Sequence, residues 1–289
     1  MAKVSVIITN YNHEKYLGQR IESVLAQTFA DYDVAIYDDC STDNSRGIIE
    51  RYRNHPKVVS VSYNEENSGS LYKQFEWAVN EASGEWIWKA ESDDYAEPEL
   101  LEKLVALAEQ HKNIGIAFCG SRWVDDKGVE GEDLSLYSES FFRSGAEEIR
   151  QKMAMQCSIQ NASAAIVRTN LAKAAIKGIS QYKACGDWIF YERILYHSDI
   201  VFTAEKLNYF RWYHANTSNS AMRDGTWLYE GIDVIRKIDF KAVKFTVREF
   251  YKVIKWWLWM AARSNITDKK RLYKIIVGVV FKYFYRAGR

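Results

Sequence analysis

What most constrains this 289-residue chain is the alternation of short apolar runs and amphipathic stretches through its first 118 residues. Val4-Ser5-Val6-Ile7-Ile8-Thr9 is nearly continuous in apolar character, as suits a parallel strand covered on both faces. Leu17, Ile21, Val24 and Leu25 then recur at helical spacing. Residues 34–37 and 58–61 predict a second and a third strand, with a helix over 43–52 between them. The pattern next predicts a helix over 69–82, capped near Gly84, and a fourth strand at Trp86-Ile87-Trp88. Glu97-Pro98 opens another helix with proline at its first position, and 114–118 reads as a fifth strand. Four strand–helix repeats predict an α/β fold with a mostly parallel, doubly wound sheet flanked by helices. Such sheets bind ligands beyond the carboxyl ends of their strands. Both acidic pairs, Asp38-Asp39 and Asp93-Asp94, fall there.

Several chemistries are excluded at these loops. The loop after the first strand, Thr9-Asn10-Tyr11-Asn12-His13, has no glycine, so it is not a dinucleotide-binding turn. Neither a phosphate-binding P-loop nor a G-x-S-x-G nucleophile elbow occurs. Carboxylates remain, and adjacent carboxylates on a loop suit a hard divalent cation that shares its oxygens with a diphosphate. The four cysteines form no C-x-x-C pair and are too sparse for a disulfide scaffold, which predicts reduced thiols. The N-terminal apolar run is too short for a signal peptide, and the longest strongly apolar runs near the end are about seven residues. A helical span needs ~20, so a cytoplasmic protein is expected.

The formal charge of +1 conceals an asymmetry. Residues 241–289 hold thirteen Lys or Arg against Glu249 and Asp268, a net of +11 that leaves −10 for residues 1–240. This basic stretch also carries Trp256, Trp257, Trp259, Phe281, Tyr283, Phe284 and Tyr285. Two helices, 241–263 and 268–285, are expected there. They would pack on the rest of the chain or lie against an anionic membrane surface, peripherally on the inner membrane face. The absence of a nucleic-acid motif in an otherwise acidic protein argues against nucleic-acid binding.

The segments Val4–Asn12, Ser23–Thr28 and Asp38-Asp39-Cys40-Ser41-Thr42-Asp43 together resemble the opening of family 2 glycosyltransferases. Ala82-Ser83-Gly84-Glu85-Trp86-Ile87 leading to Ser92-Asp93-Asp94 is similar to the approach to the family's DXD-type position. Gly186-Asp187-Trp188 resembles its catalytic-aspartate segment. Tyr209-Phe210-Arg211-Trp212-Tyr213-His214 resembles a motif that closes the catalytic domain. The resemblance implies a GT-A, Rossmann-like fold over residues 1–220, with a nucleotide-sugar half (1–118) and an acceptor half (119–220). Residues 221–289 would be a basic, aromatic helical extension.

The same resemblance implies an inverting transfer from a nucleotide-diphosphate sugar, UDP-linked above all, to a saccharide or lipid-linked saccharide, as in bacterial cell-surface polysaccharide biosynthesis. Thr9 and Tyr11 would hold the nucleobase, Asp39 would accept from the uracil N3–H, and Asp93 would face the ribose or the metal. Asp94 would coordinate Mn²⁺ or Mg²⁺, with His214 as a further metal or phosphate contact. Asp187 would be the general base. The chain has Phe75-Glu76 where many members carry Arg-Asn, leaving Lys73 or Arg211 as substitutes, and Gly-Asp where Glu-Asp is frequent. By their local context alone, Asp38 reads as a loop-backbone acceptor and Asp43 as a helix cap. A binding module that kept the architecture without catalysis is the alternative, ahead of a metal-dependent nucleotidyltransferase.

Overall fold

The computed structural model describes residues 2–212, 217–264, 266 and 268–287. The first part runs β1 (Val4–Asn10), α1 (Glu14–Leu25), β2 (Tyr32–Asp38), α2 (Ser45–Glu50), β3 (Val58–Tyr63), α3 (Leu71–Glu81), β4 (Trp86–Lys89), β5 (Tyr95–Ala96), α4 (Leu100–Glu109) and β6 (Ile114–Val124). It continues through β7 (Phe141–Ser144), α5 (Gly145–Glu148), β8 (Ala165–Arg168), α6 (Thr169–Ala175), α7 (Gly186–Leu195) and β9 (Asp199–Arg211). Five helices follow, α8 (Thr217–Asp224), α9 (Thr226–Lys237), α10 (Phe240–Val243), α11 (Val247–Arg263) and α12 (Lys269–Ala287).

All the strands join one sheet in the order β3-β2-β1-β4-β8-β6-β9-β5, with β7 paired to β9. β3, β2, β1 and β4 are mutually parallel, as the βα repeats predict. β8 then enters antiparallel between β4 and β6, so the sheet is mixed beyond β4. Every residue of β1 is buried, because alternate side chains feed two separate cores. Val4, Val6 and Ile8 pack with Leu17, Ile21 and Val24 of α1, while Ile7 faces the layer of α3 and α7.

The C-terminal helices belong to that second core. Trp188 of α7 and Trp257 of α11 stack with ring centroids 6.3 Å apart, and both are almost fully buried. Their indole N–H groups donate to the carbonyls of Met153 and Ala154, each at 2.9 Å, which satisfies the polar edge of both rings. Gly231 of α9 lies under the two rings, where a Cβ would sit 2.8 Å from one and 2.9 Å from the other. The single helix expected over 241–263 is broken at Lys244, which takes φ 54°. Thr246 and Glu249 form a reciprocal capping box that starts α11 afresh. No helix among the described residues is long and apolar enough to cross a membrane.

Candidate functional site

The loops after β1, β2 and β3 are laced together by side chains. Asn10 Nδ2 donates to Asp38 Oδ2 at 2.7 Å, and Asp38 Oδ1 accepts the Ser41 N–H at 2.8 Å. Asn12, at φ 55°, accepts the Thr42 N–H through its Oδ1. Asp38 is thus a loop-bonding acceptor, as its local context predicts, whereas Asn44 and not Asp43 is the N-cap of α2; Asp43, one position earlier, accepts the N–H groups of Glu14 and Ser45. Asp39 is buried, and its carboxylate accepts from Asn64, Asn67 and Ser68 on the loop after β3.

These loops floor a cleft of about 690 Å³. Thr9, Tyr11 and Asp39 line it as expected, with Glu91 and Ser92 at one side and residues 180–183 as the far wall. Tyr11 is 45% exposed, which leaves its ring open to a stacking partner. Asn10 and Gln74 line the cleft, and their Oδ1 and Nε2 atoms are buried with no hydrogen-bond partner among the described residues. Buried orphans of this kind are costly, and a bound ligand is one way to satisfy them. His13 Nδ1 lies 2.7 Å from Ser92 Oγ and ties the β1 loop to the acidic loop. Lys73 lines the cleft. Arg211 is buried instead, donating to the Asp93 carbonyl and to Gln19.

The structure separates the two acidic neighbours. Asp94 is 1% exposed, and its carboxylate turns into the protein. It accepts from Asn161 (2.8 Å), Ser163 (2.7 Å) and the Arg211 N–H (2.9 Å), and it lies 3.9 Å from the fully buried Arg20. Burial and the Asp93 charge push its carboxyl up to about 7, while Arg20 opposes them. The metal-ligand part expected of Asp94 therefore does not match its placement. Asp93 is half-buried and directly follows the cleft-lining Glu91 and Ser92. His214 lies outside the described residues.

Asp187 sits in the first turn of α7. Its Oδ1 accepts the Trp188 N–H at 2.7 Å and lies 3.4 Å from the Tyr72 hydroxyl. Oδ2 has no hydrogen-bond partner among the described residues. Burial raises the carboxyl to about 6, and the charge of Lys89 and the Trp188 N–H limit the rise. Gly186 explains the Gly-Asp departure, because a Cβ there would meet the buried Tyr72 ring at 2.8 Å. Asp187 lines a second cavity, of about 180 Å³. Its aromatic wall is built from Trp123, Phe210 and Trp212, with centroids 4.6 to 5.6 Å apart, together with Trp227. One segment joins the two spaces, since 180–183 line the cleft while Ala184, Cys185 and Asp187 line the cavity.

A glycosyl transferase family 2 model matches residues 5–174, and the chain belongs to that family. Over 151 residues it is 34% identical to the poly(ribitol-phosphate) β-N-acetylglucosaminyltransferase TarS of Staphylococcus aureus, which covers 52% of this chain and 25% of TarS. It is 33% identical over 133 residues to the putative glycosyltransferase EpsE of Bacillus subtilis, covering 45% of this chain and 46% of EpsE. The chain thus spans less than half the length of either relative. The fold matches the crystal structure of TarS 1–349 with UDP-GlcNAc at a TM-score of 0.67 and 22% identity, covering 99% of this chain and 92% of that one. It also matches the mannosyltransferase PcManGT of Pyrobaculum calidifontis with GDP-Man and Mn²⁺, at a TM-score of 0.63 and 13% identity over 99% and 88% of the two chains. The architecture is therefore GT-A.

Sequence reasoning missed Lys89, Tyr72, Gln74, His13 and the aromatic wall. Of these, His13 stood in the loop after the first strand, and Phe210 and Trp212 of the wall in the 209–214 motif.

Proposed function

We propose that the chain transfers a sugar from a nucleoside-diphosphate donor to a saccharide acceptor with inversion at the anomeric carbon. The observation that carries this reading is a carboxylate raised to about 6 in an aromatic-walled cavity, joined by one segment to a nucleotide-sized cleft. Tyr11 stacks on the base, Asp39 and the orphaned Asn10 Oδ1 accept from its edge, and Gln74 Nε2 donates to the donor. The aromatic wall holds the acceptor against its apolar C–H faces. Asp187 Oδ2 takes the proton of the attacking hydroxyl, and Lys89 stabilises the carboxylate before that transfer. Attack from the Asp187 side, opposite the departing diphosphate, inverts the centre. A single displacement accords with Asp187 being the one carboxylate among the described residues that line the cavity.

Among the described residues no three His, Cys, Asp or Glu side chains cluster as an all-protein metal cage would require. Mg²⁺ and Mn²⁺ commonly keep one or two carboxylates and take their other oxygens from phosphates and water. Asp93 fits that demand and would hold the cation. When bound, the cation would neutralise charge on the diphosphate. Calorimetric titration of UDP, dTDP and GDP, with and without Mn²⁺, tests the donor site. One nucleotide is expected to bind in a metal-dependent way, at least tenfold more weakly to Asp93→Asn. Failure of all three to bind the wild type sinks the donor-site reading and leaves the non-catalytic module.

The outer face of α12 supports a peripheral location at an anionic membrane. Tyr273, Val277, Phe281 and Tyr285 follow at four-residue spacing and are 37% to 72% exposed, beside the exposed Lys270 and Lys274. Aromatic rings and lysines together suit a headgroup layer, each basic residue adding ~1 kcal/mol near the surface. The full chain is expected to sediment with phosphatidylglycerol vesicles at low salt and to stay in solution with phosphatidylcholine vesicles. Equal behaviour with the two lipids overturns the assignment.

A further inference from the structure

One carboxylate that lines neither the cleft nor the cavity holds the segment dividing them. Glu230 of α9 accepts three successive backbone N–H groups. Its Oε1 takes that of Lys183 at 2.7 Å, and its Oε2 those of Ala184 and Cys185 at 2.8 and 2.9 Å. Cys185 is the N-cap residue of α7, and Asp187 stands in the first turn of that helix. Resting on the glycosyl-transfer reading above, we infer that Glu230 is a positioning residue for Asp187, fixing the backbone from which the base is aimed into its cavity. α9 is then a working part of the transfer site, although it lies outside residues 5–174, which the family model matches.

Successive N–H groups that converge make a concave nest for an anion. A carboxylate in such a nest forms charge-assisted hydrogen bonds, roughly twice as strong as neutral ones. The other side of the same segment is held by Tyr72 of α3, whose hydroxyl donates to the Ala184 carbonyl at 2.9 Å. Residue 184 is thus bonded through its N–H to α9 and through its carbonyl to α3, which leaves the chain little freedom to turn. The grip extends toward the donor. Tyr182, in the wall of the cleft, donates its hydroxyl to Asp233 Oδ2 at 3.0 Å, three residues further along α9. α9 is also seated closely on the helix that carries the base. Gly231, next to Glu230, has the Trp188 ring 2.9 Å from the place a Cβ would take, and Trp188 directly follows Asp187. Asp187 needs such an outside anchor. Its Oδ1 accepts the Trp188 N–H, a bond within its own turn that moves with the helix end.

Glu230→Gln keeps the shape of the side chain but puts an amide NH₂ where a carboxylate oxygen accepts, so at least one of the three donors loses its acceptor. Hydrogen exchange of the full chain reads the hold on the backbone. Single-turnover release of nucleotide from UDP-GlcNAc, UDP-glucose and GDP-mannose with Mn²⁺, water standing in for the acceptor hydroxyl, reads the base. Amides 183–185 are expected to exchange about tenfold faster or more in the variant. The rate should fall about 10- to 100-fold, the scale on which a misplaced group costs catalysis. Nucleotide affinity should stay near wild type, because the cleft floor lies on the loops after β1, β2 and β3. In an Asp187→Asn background the same substitution should cost almost nothing further, since a residue acting through the base has no effect once the base is gone. Wild-type exchange at 183–185, a wild-type rate, loss of nucleotide affinity, or an equal loss of rate in both backgrounds overturns the inference and leaves Glu230 a brace for α7. A wild type that releases nucleotide from none of the three donors sinks the glycosyl-transfer reading, and the inference with it.

Discussion

Asp187→Asn is expected to lower kcat by about 10²–10⁴-fold while leaving donor affinity nearly unchanged, because a positioned general base contributes on that scale. Asparagine keeps the volume of the side chain, and its Oδ1 still accepts the Trp188 N–H that orients residue 187. What it cannot do is accept a proton at the second position. The wild-type profile should show the base directly. Burial raises the carboxyl from its ordinary value to about 6, so the ionised form accumulates as pH rises through that value. Activity should climb with pH across this window and level off above it, and the residual rate of the variant should lack that limb. Single-turnover rates with donor and acceptor across pH 4.5–8.5 would check both expectations. A variant at wild-type rate would place the base elsewhere. A variant that also lost donor binding would make Asp187 a structural anchor for α7.

The parallel half of the sheet was legible because its strands bury both faces and its helices one, which leaves a strong periodic trace in residues 4–118. The strand order beyond β4 was not, since β8 reaches its place between β4 and β6 from 51 positions after β6 begins and pairs antiparallel on both sides. The candidate site was legible only where it lies on strand ends. Thr9, Tyr11 and Asp39 announce themselves by position, and Asp187 by its resemblance to a family segment. Tyr72 meets Asp187 across 115 positions. The aromatic wall gathers Trp123, Phe210, Trp212 and Trp227 from three separate regions. Such groupings have no local signature, because only the tertiary fold makes them neighbours. Gly186 is the instructive case. Its departure from the common motif looked like a weakened site, yet the space is taken by the Tyr72 ring, which lies against the first turn of α7.

Asp94→Ala is expected to destabilise the whole protein by about 3–5 kcal/mol, the cost of breaking a buried charge pair from one side. Arg20 has 0% exposure, and its Nη1 and Nη2 make no hydrogen bond among the described residues, so its charge depends on carboxylates nearby. Asp94 is the nearest of them and also gathers Asn161, Ser163 and the Arg211 N–H from two segments. Removing it strands these donors as well as the cation, whereas Asp94→Asn keeps one acceptor oxygen and should cost less. Asp93→Asn, at a half-buried position, should leave thermal stability close to wild type and act on metal-dependent nucleotide binding instead. Parallel melting curves and Mn²⁺-dependent nucleotide titrations of the three variants separate the parts. If Asp94→Ala melted like the wild type yet lost metal-dependent binding, the cation would belong on Asp94 after all. If the effects divide as expected, the adjacent acids have distinct tasks, Asp93 toward the donor and Asp94 in the charge network that holds the acidic loop in place.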